Sequence, residues 1–248
     1  MRTPTLLAAA VLTAAAVAGS PPVRHRMLTW GATPEEAAGP LAGDDLLPDA
    51  PLISTRAITI GAQPAAVWPW LVQMGSGRGG AYTYDWIENL FGLNMHSADE
   101  VLPQFQQLTV GDVLPLGATG PAMRVEICDR ERTLAIRSTD GAWVWIFALR
   151  PEAGGTRLIS RNRIRISGAG PVRRFLYDLV MTPGSLVMER RMLLGIKQRA
   201  ERPGAHHPAS SASSGRTGLC LGASRKAPAR PPSSPPADQA QAGPAAHR

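Results

Sequence analysis

Cysteine is nearly absent from this chain of 248 residues: Cys128 and Cys220 are the only two. Two are too few for a disulfide framework, and no CxxC pair exists to hold zinc. Cys128, in a strand-like run, reads as a small buried apolar side chain, with a bridge to Cys220 as the alternative in an oxidising compartment. Histidine is almost as scarce. His96 is the only one in the middle of the chain, and no Ser or Cys sits in a nucleophile-elbow context, which disfavours triad hydrolysis and a His-based metal site. No metal and no cofactor is expected. Aromatic residues make up 5% of the chain, and no basic stripe interleaved with them appears, so the net charge of +7 does not point to nucleic acid. Four of those seven charges belong to residues 203 to 248, which leaves a nearly balanced body.

Long apolar runs are missing except for Leu6 to Ala18, thirteen residues preceded by Arg2 and closing on Ala16-Val17-Ala18. A membrane span needs about 20 residues, whereas this length fits the apolar region of a signal peptide. Residues 1 to 20 therefore read as a signal peptide or N-terminal anchor, giving an exported or membrane-anchored protein with possible membrane association through this segment. Arg24 and Arg26 follow closely and oppose translocation, so a cytoplasmic protein is the alternative.

Glycine (25) and proline (23) are abundant, and their placement divides the chain. Residues 21 to 52 are Pro-rich, without a sustained period of 2 or 3.6, and read as an extended lead-in. Residues 203 to 248 are mostly Pro, Ser, Ala and Gly with no aromatic residue, and read as a disordered basic tail. No internal repeat is present.

Residues 53 to 202 hold the core. Thr55 to Ile60 reads as a strand, and Pro64 to Met74 as a short helix that Pro69 should kink or delay. Tyr84 to Phe91 reads as a second short helix. The period then falls to 2: Met123, Val125 and Ile127 alternate with Arg124 and Glu126, and runs at 134–137, 143–149 and 156–166 continue as antiparallel hairpins. Val172 to Ala200 reads as helix interrupted at Thr182-Pro183-Gly184. This order predicts an α+β helix-grip fold: a curved antiparallel sheet wrapped around a long C-terminal helix, with two short helices after the first strand. Such a sheet leaves a concave face suited to an apolar ligand.

The stretch Trp68-Pro69-Trp70-Leu71-Val72-Gln73-Met74-Gly75, then Arg78-Gly79-Gly80, Tyr82-Thr83-Tyr84-Asp85-Trp86 and Ile87-Glu88-Asn89, with Val187-Met188-Glu189-Arg190 and Leu194-Gly195-Ile196-Lys197, resembles bacterial proteins of the START-related helix-grip superfamily, SRPBCC. The resemblance covers about residues 54 to 202. It implies the helix-grip fold and a superfamily whose members bind lipids, polyketides, sterols or plant hormones, some of them as polyketide cyclases or aromatases.

Several side chains are candidates for chemistry. Gly75-Ser76-Gly77-Arg78-Gly79-Gly80 matches GxGxxG, but a Pro-containing helical segment precedes it, so the glycines read as a tight connection rather than a nucleotide site. Arg78, Tyr82, Tyr84, Asp85, Trp86, Glu88 and Asn89 put seven polar or amphipathic side chains within twelve residues. Either they fold a loop onto the sheet, with Asp85 capping the helix and pairing with Arg78, or they line a cavity mouth that orients a ligand carbonyl or carboxylate. Glu189 falls on the apolar arc of the last helix with Met188, Met192, Leu193 and Ile196. A carboxylate placed there needs an arginine, with Arg161, Arg163 and Arg78 as candidates, or has a raised pKa and contacts ligand. Arg157, Arg161, Arg163 and Arg165 share one strand face, read as solvated. Trp143, Trp145 and Phe147 form core or cavity wall, and Trp145 stacks on Arg161 if the hairpin register puts them on one side.

The expected function is binding or transport of a small hydrophobic molecule or lipid, with Arg78, Tyr82, Tyr84, Trp86, Trp145, Met188, Glu189 and Met192 as ligand-binding residues. An enzyme resembling polyketide cyclases is the alternative, with Tyr84, Asp85 or Glu189 moving a proton. A non-catalytic interaction module at the cell envelope, its cavity filled by Trp143, Trp145 and Phe147, is the third.

Overall fold

The computed structural model describes residues 20–117, 122–166 and 170–203, with the backbone alone over 171–178. All but the last residue of the expected signal or anchor segment, Cys220 and all but the first residue of the expected tail lie outside the described residues. In chain order the elements are α1 (Pro21–Leu28), α2 (Pro34–Ala38), a 3-10 turn (Asp44–Leu46), β1 (Leu52–Ile60), α3 (Pro64–Val72), α4 (Asp85–Leu90), a second 3-10 turn (Pro103–Phe105), β2 (Val113–Pro115), β3 (Ala122–Asp129), β4 (Thr133–Ser138), β5 (Trp143–Glu152), β6 (Gly155–Ile164) and α5 (Pro171–Ala200).

The six strands form one antiparallel sheet in the order β1-β6-β5-β4-β3-β2. Strands β3 to β6 are a meander, as the period-2 pattern requires, and β1 closes on β6. The long helix α5 crosses the inner face and buries Met192, Leu193, Ile196 and Ala200. These side chains share a cluster with Ile60, Met123, Leu134, Phe147, Leu149 and Leu158 of the sheet and with Val67, Trp70 and Leu71 of α3. Each fully buried Leu, Ile or Phe here is worth about 1.5–3 kcal/mol, so this face carries most of the stability. The end of α5 is tied to the end of β1: Lys197 Nζ donates to the Thr59 carbonyl at 2.7 Å, and the Glu201 carboxylate accepts from the Gly61 N–H at 2.5 Å. This is a helix-grip fold.

The helices differ from expectation at their prolines. Pro69 sits inside α3 without delaying its start at Pro64. The expected interruption at Thr182-Pro183-Gly184 is absent, and α5 runs as one helix through Pro183. There the Ser185 hydroxyl donates to the Thr182 carbonyl at 3.0 Å, and Thr182 itself is buried. Packing of that turn holds the helix where local propensity would end it.

The outer face corrects the reading more sharply. The 21–52 segment, expected to be extended, contains α1, α2 and a 3-10 turn, and α2 opens on a capping box between Thr33 and Glu36. Leu41 and Leu47 of this segment cover Ala57, Ala135, Val144, Ile146, Ala148 and Ile159 on the outer side of the sheet. Of the four arginines expected in solvent, Arg161 and Arg163 are buried beneath it, Arg157 is half-buried and Arg165 is exposed as expected. Arg161 donates to the carbonyls of Glu36, Ala37 and Gly39 and to Asp44 Oδ2, and Arg163 donates to the carbonyls of Leu47 and Pro48 and to Asp44 Oδ1. Arg157 pairs with Glu36 at 2.8 Å and donates to the Gly31 carbonyl. The cause is reciprocal: an irregular segment laid on a sheet strands its carbonyls, and guanidinium groups supply the missing donors while their stems cover apolar surface.

Candidate functional site

On the inner face, strand register gathers a polar group inside the apolar cluster. Arg56 of β1 lies opposite Ser160 of β6, and Asn162 of β6 lies opposite Trp145 of β5. Glu189 projects onto them from α5. Its carboxylate forms an ion pair with Arg56 and accepts from Ser160 Oγ at 2.6 Å and from Asn162 Nδ2 at 3.2 Å. Arg56 completes its own set by donating to Ser185 Oγ at 3.0 Å and to the Met27 carbonyl of α1 at 3.1 Å. Arg56 is 0% exposed and Glu189 7%.

Burial pushes the Glu189 carboxyl above the ordinary glutamate range, and the Arg56 charge with the hydrogen bonds from Ser160, Arg56 and Asn162 pulls against it. Such a pair persists only where its remaining lone pairs and protons are matched, as they are here.

Two tryptophans hang from this network. Trp145 Nε1 donates to Ser160 Oγ at 2.9 Å, and Trp143 Nε1 donates to Asn162 Oδ1 at 2.8 Å. Both indoles are half-buried, and they stack with centroids 5.4 Å apart and planes 22° apart; Trp145 continues onto fully buried Phe147 at 4.9 Å. Register settles the hairpin parity. The tryptophans share the face of Ser160 and Asn162, so Trp145 does not stack on Arg161, which points to the outer face.

Sequence reasoning placed Glu189 correctly on the apolar side of α5 but named Arg161, Arg163 and Arg78 as its partners. The partner is Arg56. A sequence signal existed: Arg56 alternates in phase with Ile58 and Ile60, which puts it on the buried face of β1. Met192 is buried beside Glu189 in the helix sequence, and Met188 is half-buried.

The other candidates form a second group, built around residues 75 to 97. Gly75 and Gly80 exchange backbone hydrogen bonds, and Gly79 N–H donates to the Gln73 carbonyl at 2.7 Å, so the glycine run closes on itself after α3. Gly80, at φ +70°, passes so near the His96 carbonyl that any Cβ would collide with it. Arg78 does not pair with Asp85. It donates to the Val72 carbonyl at 2.9 Å and lies over the Phe105 ring at 4.3 Å. Asp85 is the first residue of α4 rather than its cap, and its oxygens accept from the Ser97 N–H and hydroxyl at 2.7 and 2.6 Å. Tyr82 is buried at φ +58° and donates to the Trp70 carbonyl at 3.0 Å; burial raises its hydroxyl pKa well above the usual value. Tyr84 is partly exposed under Arg191, and Trp86 is 70% exposed. Glu88 is buried with Oε2 unpartnered among the described residues, and burial raises its carboxyl pKa, with the Asp85 charge adding to the shift. Asp85 is thus hydrogen-bonded to Ser97 and Glu189 to Arg56, Ser160 and Asn162, and among the described residues no hydrogen bond joins Glu189 to Tyr84 or Asp85.

The hollows among the described residues include one of about 330 Å³ lined by Arg78, Phe105, Leu108 and Asp112, and one of about 390 Å³ lined by Arg124, Arg137, Thr139 and Asp140. Neither is lined by Trp145 or Glu189. Among the described residues no group of three His, Cys, Asp or Glu side chains could hold a metal ion, and no helix is long and apolar enough to cross a membrane. Cys128 is free and half-buried; its Sγ lies 3.3 Å from the Leu108 carbonyl, and burial raises its thiol pKa.

No protein-family model and no curated protein matches the chain. Solved structures do. The chain is similar to the KanY protein at 19% identity and a TM-score of 0.42, over 61% of this chain and 98% of that one. It is similar to the Polyketide_cyc-like protein Cgl2372 from Corynebacterium glutamicum at 19% identity and 0.31, over 62% and 89%, and to an AHSA1-like protein from Aeromonas hydrophila at 19% and 0.34, over 63% and 97%. The helix-grip assignment stands on the six-stranded sheet and on α5 crossing its inner face.

Proposed function

We propose that the chain binds a small hydrophobic or aromatic molecule on the inner face of the sheet, against Trp143 and Trp145. The observation that carries this reading is the stacked, half-buried indole pair whose ring nitrogens are both occupied by Asn162 and Ser160. With their polar edges satisfied inside, what the rings offer outward is π surface, held in a fixed orientation by Ser160 and Asn162, which Glu189 holds in turn. Half-buried Met188 on α5 adds a side chain that adapts to ligand shape. Glu189 in this reading positions the wall through Ser160 and Asn162 rather than touching the ligand.

The test is native mass spectrometry of the full chain with organic extraction of whatever travels with it, followed by titration of the extracted compound against tryptophan emission. A discrete bound mass that is displaced by Trp145→Ala supports the reading. Bound mass retained in that variant, or no emission change across lipids and aromatic probes, overturns it. Phe147 and Trp145 already fill part of the inner face, which favours a packed interaction module as the second reading; an absent ligand together with unchanged folding in Trp143→Ala and Trp145→Ala would favour that module.

A further inference from the structure

The 82–97 segment is fixed in place by its polar side chains and yet turns three large apolar ones to solvent. Asp85 holds Ser97, Asn89 brackets the Met95 backbone with bonds of 2.9 and 2.6 Å, and Ser76 Oγ donates to the Leu93 carbonyl at 2.7 Å. Against this rigid frame Trp86 is 70% exposed, Leu90 77% and Phe91 74%. A flexible loop could bury such side chains by collapsing; this one cannot without breaking those bonds. Contiguous exposed apolar side chains on a clamped frame mark a docking surface.

Charge and area say what docks. The acids of the segment face inward, Asp85 on Ser97 and Glu88 buried, while the exposed Arg191 of α5 lies 5.8 Å over the Tyr84 ring. The accessible charge at this edge is positive. The three apolar side chains together offer on the order of 500 Å², below the roughly 800 Å² per partner of a stable protein interface. Trp and Tyr beside aliphatic tips and a flanking arginine form the composition of a surface that enters the headgroup boundary of a bilayer. We propose that Trp86, Leu90 and Phe91, flanked by Arg191, dock the protein on an anionic lipid bilayer surface. This goes beyond the ligand-binding reading and does not depend on it.

The experiment is flotation of the full chain with vesicles of phosphatidylcholine alone or mixed with phosphatidylglycerol, comparing wild type with Leu90→Ser/Phe91→Ser and with Arg191→Gln. The double variant is expected to partition about tenfold more weakly into the mixed vesicles at unchanged thermal midpoint, because both side chains are solvated in the free protein. Arg191→Gln is expected to weaken partition into mixed vesicles and leave partition into neutral ones unchanged. Partition of the double variant equal to wild type would overturn the proposal, since any binding would then belong to the apolar 6–18 segment, and so would absence of wild-type flotation. A wild-type dimer in light scattering that the double variant abolishes would assign the surface to a second copy instead and overturn it equally.

Discussion

Replacing Glu189 by leucine removes the carboxylate that Arg56, Ser160 and Asn162 all address and leaves a guanidinium that is 0% exposed holding only Ser185 Oγ and the Met27 carbonyl. An uncompensated buried charge of this kind costs about 3–5 kcal/mol. Arg56→Met, which strands the carboxylate instead, belongs in the same range. The double variant Arg56→Met/Glu189→Leu removes both charges and replaces them with side chains of similar volume. It still orphans the donors of Ser160 and Asn162, so it costs about 1–3 kcal/mol by the ordinary penalty for unsatisfied buried groups. The two changes are therefore strongly non-additive, the double recovering at least about 2 kcal/mol of the summed single costs. Urea denaturation followed by far-UV circular dichroism reads all four proteins, with the slope checked so that only midpoints are compared. Single variants losing less than about 1 kcal/mol, or a double that equals their sum, would refute the claim that the pair is buried and mutually dependent.

Arg161→Met removes four donations into the N-terminal segment; it should raise proteolytic cleavage and amide exchange between residues 29 and 51 while sparing β4 and β5, and protection unchanged in that segment would contradict the clamp. Glu36 is held below the ordinary value of 4.5, first by its hydrogen bond from Arg157. A lowered folded value means stabilisation that is complete above the unfolded value of 4.5 and lost as pH falls from there through the folded value, so the stability gap between wild type and Glu36→Gln should close on acidification; a gap that widens would reverse the assignment. Glu88 carries the opposite sign. Burial raises it, so ionising it costs stability as pH rises above 4.5, and Glu88→Gln should be more stable than wild type at neutral pH and equal to it in acid. A uniform gain across the pH range would show that the charge is not the cause.

Much of this fold was legible because its signals are local. The period of 2 from Met123 onward and the apolar arc of the last helix each report a buried face without reference to distant residues. What could not be read depends on pairing across the chain. The Arg157–Arg161–Arg163 row has the same alternation whether water or another segment covers it, and only the carbonyls of 31–48 decide between them. Glu189 was conspicuous as a carboxylate on an apolar arc, but its partner lies 133 residues away, and β1–β6 pairing is what brings Arg56 under it. The cluster from Arg78 to Asn89 was conspicuous too, because polar side chains that brace a loop and polar side chains that grip a ligand have the same composition. Their hydrogen bonds to Val72, Trp70, Ser97 and Met95 are what distinguish bracing here.

The account rests on Trp143 and Trp145 forming an anchored wall that receives a ligand, and the most direct measurement is tryptophan emission of the full chain titrated with the compound extracted from it, in wild type, Trp145→Phe and Glu189→Gln. The account predicts saturable quenching or a blue shift in wild type, weaker binding by about tenfold in Trp145→Phe through loss of indole stacking area, and a smaller loss in Glu189→Gln, which keeps the fold but loosens the hold on Ser160 and Asn162. Identical titrations in all three proteins would contradict it.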